Sequence, residues 1–180
     1  MAAPHPSRTL LVLGGARSGK SRHAQARAEA LDLKLVYIAT CEAQDEEMAD
    51  RIARHRADRG ARWTTIEVPL QLAEAVRAHA ASDTVLLVDC LTLWASNLMF
   101  AERDAEQETG RLVDALTAAA GPVILVSNEV GLGIVPDNAL ARRFRDVAGR
   151  INQRIAEVVD EAVFLAAGLP LKLKGQSLIG

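Results

Sequence analysis

Residues 14–21 read GGARSGKS, which is the spacing G-x-x-x-x-G-K-S with Gly14, Gly19, Lys20 and Ser21 at the fixed positions. Glycine lets a backbone turn successive amides inward around an anion. A helix that starts at the lysine adds the positive end of its dipole. Gly14, Gly15, Ala16, Arg17, Ser18, Gly19, Lys20 and Ser21 are therefore expected to cradle the phosphates of a nucleoside triphosphate, with Lys20 reaching the β- and γ-phosphates. The Ser21 hydroxyl would ligate Mg²⁺. Asp89, an acid that ends the apolar run VLLV, is the natural second support for that ion. A strand-end aspartate can also simply cap the next helix. Glu129, behind VILVSN, is another acid at a strand mouth.

A second stretch could do different chemistry. Residues 51–59, RIARHRADR, place His55 among Arg51, Arg54, Arg56 and Arg59. Nearby positive charge attracts anions and disfavours protonation of the imidazole. A neutral imidazole is a nucleophile toward phosphorus. The same stretch also fits a solvated helix face, and spacing alone leaves both readings open. His23, three residues past Lys20, is expected to pack or to face solvent. Cys41 and Cys90 have neither metal-ligand nor redox spacing and read as small thiols in a reducing compartment.

These residues need a scaffold, and the hydropathy pattern supplies one. TLLVLGG (9–15), KLVYIAT (34–40), WTTIEV (63–68), TVLLVDC (84–90) and PVILVSNEVG (122–131) are short apolar runs that read as strands. Helices are expected over 20–31, 45–58, 70–80, 91–100 and 105–120. Leu140, Phe144, Val147, Ile151, Ile155 and Val158 step by three or four residues and predict a long amphipathic helix. EAVFLAAG and LPLKLK close the chain as a hairpin around Gly168 and Pro170. Alternating strands and helices imply an α/β, three-layer fold with a mostly parallel central sheet flanked by helices and a short C-terminal hairpin. With the phosphate loop after its first strand, it is P-loop NTPase-like.

Composition narrows the function. At 180 residues the chain suits one domain, expected over 9–180 behind a disordered tail at 1–8 that lacks the apolar core of a signal peptide. A net charge of −2 and 3% aromatic residues argue against a dedicated nucleic-acid binder. No apolar run nears the ~18–20 residues of a transmembrane helix. The expected location is the cytoplasm, and the alanine- and leucine-rich helices suit burial in a homo-oligomer.

Taken together, GGARSGKSRHA, YIAT, EEMADRIARHRADR, LLVDCLTLWASNLM and SNEVGLGIVPDNALARRFRDVAGRINQRIA resemble the bifunctional adenosylcobinamide kinase / adenosylcobinamide-phosphate guanylyltransferase family, from about Leu10 to Lys174. The phosphate loop is generic. SNEVGLGIVP and the spacing from the loop to RIARHRADR are specific. The resemblance implies that ATP or GTP phosphorylates adenosylcobinamide. GMP then passes from GTP to adenosylcobinamide phosphate through a guanylyl-histidine. It places the covalent intermediate on His55. It also implies nucleotide contacts at Ile38, Ala39 and Thr40, at Arg56, Ala57, Asp58 and Arg59, and at Glu67 and Asp89. Gln25 stands where relatives often have glutamate. Whether one nucleotide site serves both reactions, or two do, stays open. A small-metabolite kinase without guanylyl transfer, and a nucleotide-dependent switch, are the competing readings.

Overall fold

In a computed structural model that describes residues 9–41 and 60–175, the chain forms a seven-stranded sheet with helices on both faces. The strands are β1 (Thr9–Gly14), β2 (Lys34–Ala39), β3 (Trp63–Glu67), β4 (Thr84–Asp89), β5 (Val123–Asn128), β6 (Glu161–Ala166) and β7 (Leu169–Lys174). The described helices are α1 (Lys20–Glu29), α2 (Leu72–His79), α3 (Leu91–Phe100), α4 (Ala105–Thr117) and α5 (Ala139–Val158). Strand order is β3-β2-β4-β5-β1-β6-β7. Every neighbouring pair is parallel except β6 and β7. Within the described residues the expected elements are present, with ends trimmed by up to three residues. The helix expected over 45–58 lies outside the described residues.

All six residues of β1 are buried, which suits a central strand covered on both faces. Its side chains alternate between two apolar layers. Leu11 and Leu13 join Leu86, Val88 and Leu125 under α2–α5, through Leu72, Trp94, Leu112 and Ile151. Leu10 and Val12 join Leu87, Ile124 and Val126 under α1, through Ala24 and Ala28. Small residues on α1 let that helix lie close to the strand that launches it.

Parallel pairing brings the strand ends to one edge. Gly14 is level with Asn128 on one side and Leu165 on the other, and Ala39 is level with Asp89 and Glu67. Two polar ties hold β6 beside β1. The Asp160 carboxylate accepts from Thr9 N at 2.9 Å and Thr9 Oγ1 at 2.8 Å. Arg27 of α1 donates both arms of its guanidinium to Glu161, at 3.0 and 2.7 Å. Glu161 is buried, and the Arg27 bond holds its carboxyl below the usual carboxylate range.

Removing the Glu161 charge should therefore loosen the β1–β6–α1 junction. Glu161→Gln is expected to lower stability in urea unfolding by about 2 kcal/mol. That is less than for a fully buried pair, because the Arg27 side chain stays 32% exposed. In the native protein this contribution is complete above the ordinary carboxylate pKa and is lost as pH falls through the depressed value. The variant should show a flatter acid limb.

Candidate functional site

The turn from β1 into α1 wraps a cleft of about 520 Å³ lined by Arg17–Arg22 and by Ala167 and Gly168. Two glycines are indispensable to its shape. A Cβ on Gly14 would sit 2.5 Å from the Leu165 carbonyl oxygen and 2.6 Å from Ser18 Oγ. Gly19 precedes α1 with φ +97°, a left-handed conformation that side chains disfavour. The α1 end therefore opens directly onto the cleft with no side-chain cap.

Lys20 is buried, and its Nζ donates to the Gly15 carbonyl at 2.5 Å. Burial lowers its pKa, opposed by Cys90 and Asp89. The Cys90 thiol is itself pushed up to about 11, by burial and then by Asp89, so at neutral pH the opposing charge is that of Asp89. Beside the lysine, Ser21 Oγ donates to Asp89 Oδ2 at 2.9 Å. The two residues expected to support Mg²⁺ are thus brought together from α1 and β4. Hydroxyl and carboxylate oxygens are the hard ligands Mg²⁺ takes, so the pair fits the ion. Among the described residues no three His, Cys, Asp or Glu side chains form a metal cluster. A cation here would draw its remaining ligands from phosphate and water.

The other residues divide by depth. Ile38 and Ala39 are buried, Ile38 completely. The buried Thr40 hydroxyl donates to the Cys90 carbonyl at 2.8 Å and accepts from Cys90 N at 2.9 Å. Asn97 of α3 donates to the carbonyls of Thr40 at 2.8 Å and Pro69 at 2.9 Å. These groups brace the rim where β2 and β4 end. Glu67 is exposed beside a second cleft of about 440 Å³ bounded by residues 67–71, α2 and Arg103. Four strand steps of ~4.8 Å separate β3 from β1, so Glu67 is on the order of 19 Å from the phosphate loop. His55, Arg56, Ala57, Asp58 and Arg59 lie outside the described residues. The chain enters that stretch after Cys41, at the edge that carries the phosphate loop.

Glu129 stands next to the loop, and its N–H donates to the Gly14 carbonyl at 3.0 Å. Its carboxylate accepts from Gly131 N at 2.6 Å and so shapes the following turn. His23 is half-buried; burial and the neighbouring Arg27 lower its pKa against the pull of Glu161. Two features escaped sequence reasoning. One is a buried polar chain beside β5: Ser127 Oγ donates to Asn152 Oδ1 at 2.6 Å, and Asn128 N donates to Thr92 Oγ1 at 2.7 Å. It locks α3 and α5 to the strand between β1 and β4. The polar residues NQ inside the apolar period of α5 were its only signal. The other is the β6–β7 turn, whose Gly168 N donates to Ser18 O at 2.9 Å and so walls the cleft. Nothing in local sequence announces that contact.

Residues 10–173 match a family model described as "Cobinamide kinase / cobinamide phosphate guanyltransferase". A protein of Pseudomonas aeruginosa called bifunctional adenosylcobalamin biosynthesis protein CobP is 50% identical over 93% of this chain and 98% of its own length. A Salmonella typhimurium protein called bifunctional adenosylcobalamin biosynthesis protein CobU is 43% identical over 92% of this chain and 99% of its own. Among solved structures, the flagellar accessory protein FlaH of Methanocaldococcus jannaschii aligns with TM-score 0.55 and 16% identity, over 96% of this chain and 80% of that one. An ATPase of a bacterial type III secretion system aligns with TM-score 0.54 and 12% identity, over 92% of this chain and 56% of that one. At such identities these two likenesses speak for the P-loop NTPase-like fold alone.

The brace at Thr40 and the buried thiol can each be checked. Thr40→Val keeps the shape but strands two Cys90 backbone groups, and should cost about 1–3 kcal/mol in urea unfolding. In a Cys41→Ser background, Cys90 should resist an aromatic disulfide reagent at pH 8 and react at the rate of unfolding, because its thiol is buried and protonated.

Proposed function

The chain belongs to the cobinamide kinase / cobinamide phosphate guanyltransferase family, and from that premise we propose that it catalyses both reactions of the family's name in adenosylcobalamin biosynthesis. In the first, ATP or GTP phosphorylates the terminal hydroxyl of the aminopropanol arm of adenosylcobinamide. In the second, GMP moves from GTP to adenosylcobinamide phosphate, giving adenosyl-GDP-cobinamide and pyrophosphate. The observation that carries the reading is the loop that sets Lys20 inside the phosphate cleft and Ser21 on Asp89 at 2.9 Å.

The chemistry follows from what these groups can do. Lys20 is held by a neutral carbonyl, and an incoming phosphate is a stronger acceptor for the ammonium. Exchange of Gly15 O for a phosphate oxygen neutralises charge that grows as the γ-phosphoryl group transfers. Ser21 and Asp89 would hold Mg²⁺, which when bound offsets the negative charge of the phosphates. Amides of the loop and the open end of α1 orient the chain of phosphates.

For guanylyl transfer, we assign the nucleophile to His55. Its imidazole nitrogen forms a bond to the α-phosphorus as the α–β bridging bond breaks and pyrophosphate leaves. A phosphate oxygen of adenosylcobinamide phosphate then attacks the same phosphorus, and the P–N bond breaks to restore the imidazole. Arg51, Arg54, Arg56 and Arg59, its neighbours in sequence, would offset phosphate charge. Arg56, Ala57, Asp58 and Arg59 are read as nucleotide contacts, as are Ile38, Ala39, Thr40 and Glu67. The buried positions among them contribute through backbone and rim geometry. We place the enzyme in the cytoplasm as a homo-oligomer. Leu169, Leu171 and Leu173, exposed on edge strand β7, support the oligomer; no described helix is long and apolar enough to cross a membrane.

Incubation with α-labelled GTP should label the wild-type protein through a bond stable to alkali and lost in acid, and His55→Ala should abolish the label. An unlabelled wild-type enzyme that still phosphorylates adenosylcobinamide would leave the kinase-only reading. Lys20→Ala should lower the kinase rate about 10²–10³-fold. Full activity in that variant would overturn the assignment of the phosphate loop.

A further inference from the structure

The cleft has two unlike flanks. Toward β4 stand Ser21 and Asp89, joined at 2.9 Å. Away from them stand Arg22 and the β6–β7 turn. Arg22 follows Ser21 in α1, and one residue turns the helix by about 100°, so the two side chains leave in different directions. A methyl group on Gly168 would lie 3.4 Å from Arg22 Nη2, and one on Gly19 would lie 3.8 Å away. The guanidinium therefore hangs beside both glycines, at the cleft's rim.

Arg22 is exposed, and among the described residues it has no hydrogen bond or ion pair. Arg27 on the same helix, by contrast, holds Glu161, and Arg103 and Arg111 hold the buried Glu108. On the floor of the same cleft, Ser18 is only 8% exposed and its Oγ has no hydrogen-bond partner. A buried hydroxyl without a partner costs about 1–3 kcal/mol, which an incoming oxygen ligand would relieve. An unpaired cation above and an unpaired hydroxyl below mark a place for an anion on the flank away from Asp89.

The geometry points to Arg22 as a ligand of the nucleotide's phosphates, acting with Ser18 on the flank opposite Ser21 and Asp89, and to the Ala167–Gly168 turn as the wall along which the nucleoside leaves the cleft. This inference rests on the nucleotide reading of the cleft. It gives the phosphates a guanidinium on one side, opposite the Ser21 and Asp89 oxygens that would hold Mg²⁺. A fixed guanidinium serves γ-phosphoryl transfer and guanylyl transfer alike, since each builds charge on a phosphate held in the same cleft.

Binding of mant-GTP, followed by fluorescence, and its displacement by tripolyphosphate test the idea on the full chain. Arg22→Ala should weaken both ligands by the same factor, about 10- to 100-fold for loss of charged hydrogen bonds. Arg22→Lys should recover only part of it, because an ammonium lacks the planar fork. Arg22 touches solvent and makes no internal bond, so thermal unfolding should be unchanged. Should thermal unfolding shift in Arg22→Ala, Arg22→Gln, which keeps the stem, carries the test. Affinities within twofold of wild type would overturn the inference. So would a loss for mant-GTP with unchanged tripolyphosphate affinity, which would assign Arg22 to the nucleoside. A wild-type protein that binds neither ligand would instead remove the nucleotide reading, and this inference with it.

Discussion

The position of β1 between two parallel neighbours is the constraint on which the rest of the molecule depends. Its last residue, Gly14, is level with Asn128 of β5 and Leu165 of β6, and its carbonyl receives the Glu129 N–H at 3.0 Å. The Leu165 carbonyl occupies the space a side chain on Gly14 would need. The loop that follows is thus held from both sides before it begins to turn. A phosphate site made of backbone amides needs that rigidity, because amides aimed at an anion help only if they do not have to reorganise to meet it. Arg27–Glu161 and Thr9–Asp160 fasten the β6 side, while Thr92, Ser127 and Asn152 fasten the β5 side.

Electrostatics around the loop follow one rule: partnership decides what a charged group does. Arg27 and Glu161 satisfy each other and hold structure. Lys20 is drawn out of water and held by a carbonyl, a weak partner that an anion can replace. Arg22 has no partner among the described residues and faces the cleft. The same residue type, arginine, is a brace at one position of α1 and a free donor a turn and a half earlier. Glu129, a carboxylate at a strand mouth, accepts the Gly131 N–H at 2.6 Å and shapes its own loop.

Much of this was legible before folding. Strands showed as apolar runs because interior parallel strands are buried on both faces, and α5 showed as a 3.6-residue period because one of its faces is buried in the core beside α3 and α4. The C-terminal hairpin was readable from Gly168 and Pro170, and it forms with Leu165 opposite Pro170. Thr40 and Ile38 came from family resemblance as nucleotide contacts. The Ile38 side chain is buried in the core and the Thr40 hydroxyl bonds Cys90, details that no motif expresses.

What sequence by itself determined is local: the G-x-x-x-x-G-K-S spacing, the order of strands and helices along the chain, and the specific motifs of the family. Those are set by backbone preference and hydropathy within a few residues. Strand order across the sheet is set by which surfaces pack, and only tertiary structure decided it. That order put β5 between the loop and Asp89, placed Glu67 four strands from β1, and brought the β6–β7 turn against Ser18. It also pointed Arg22 toward that turn while Ser21 met Asp89, since a helix separates adjacent side chains by angle and only the neighbours say what each will meet.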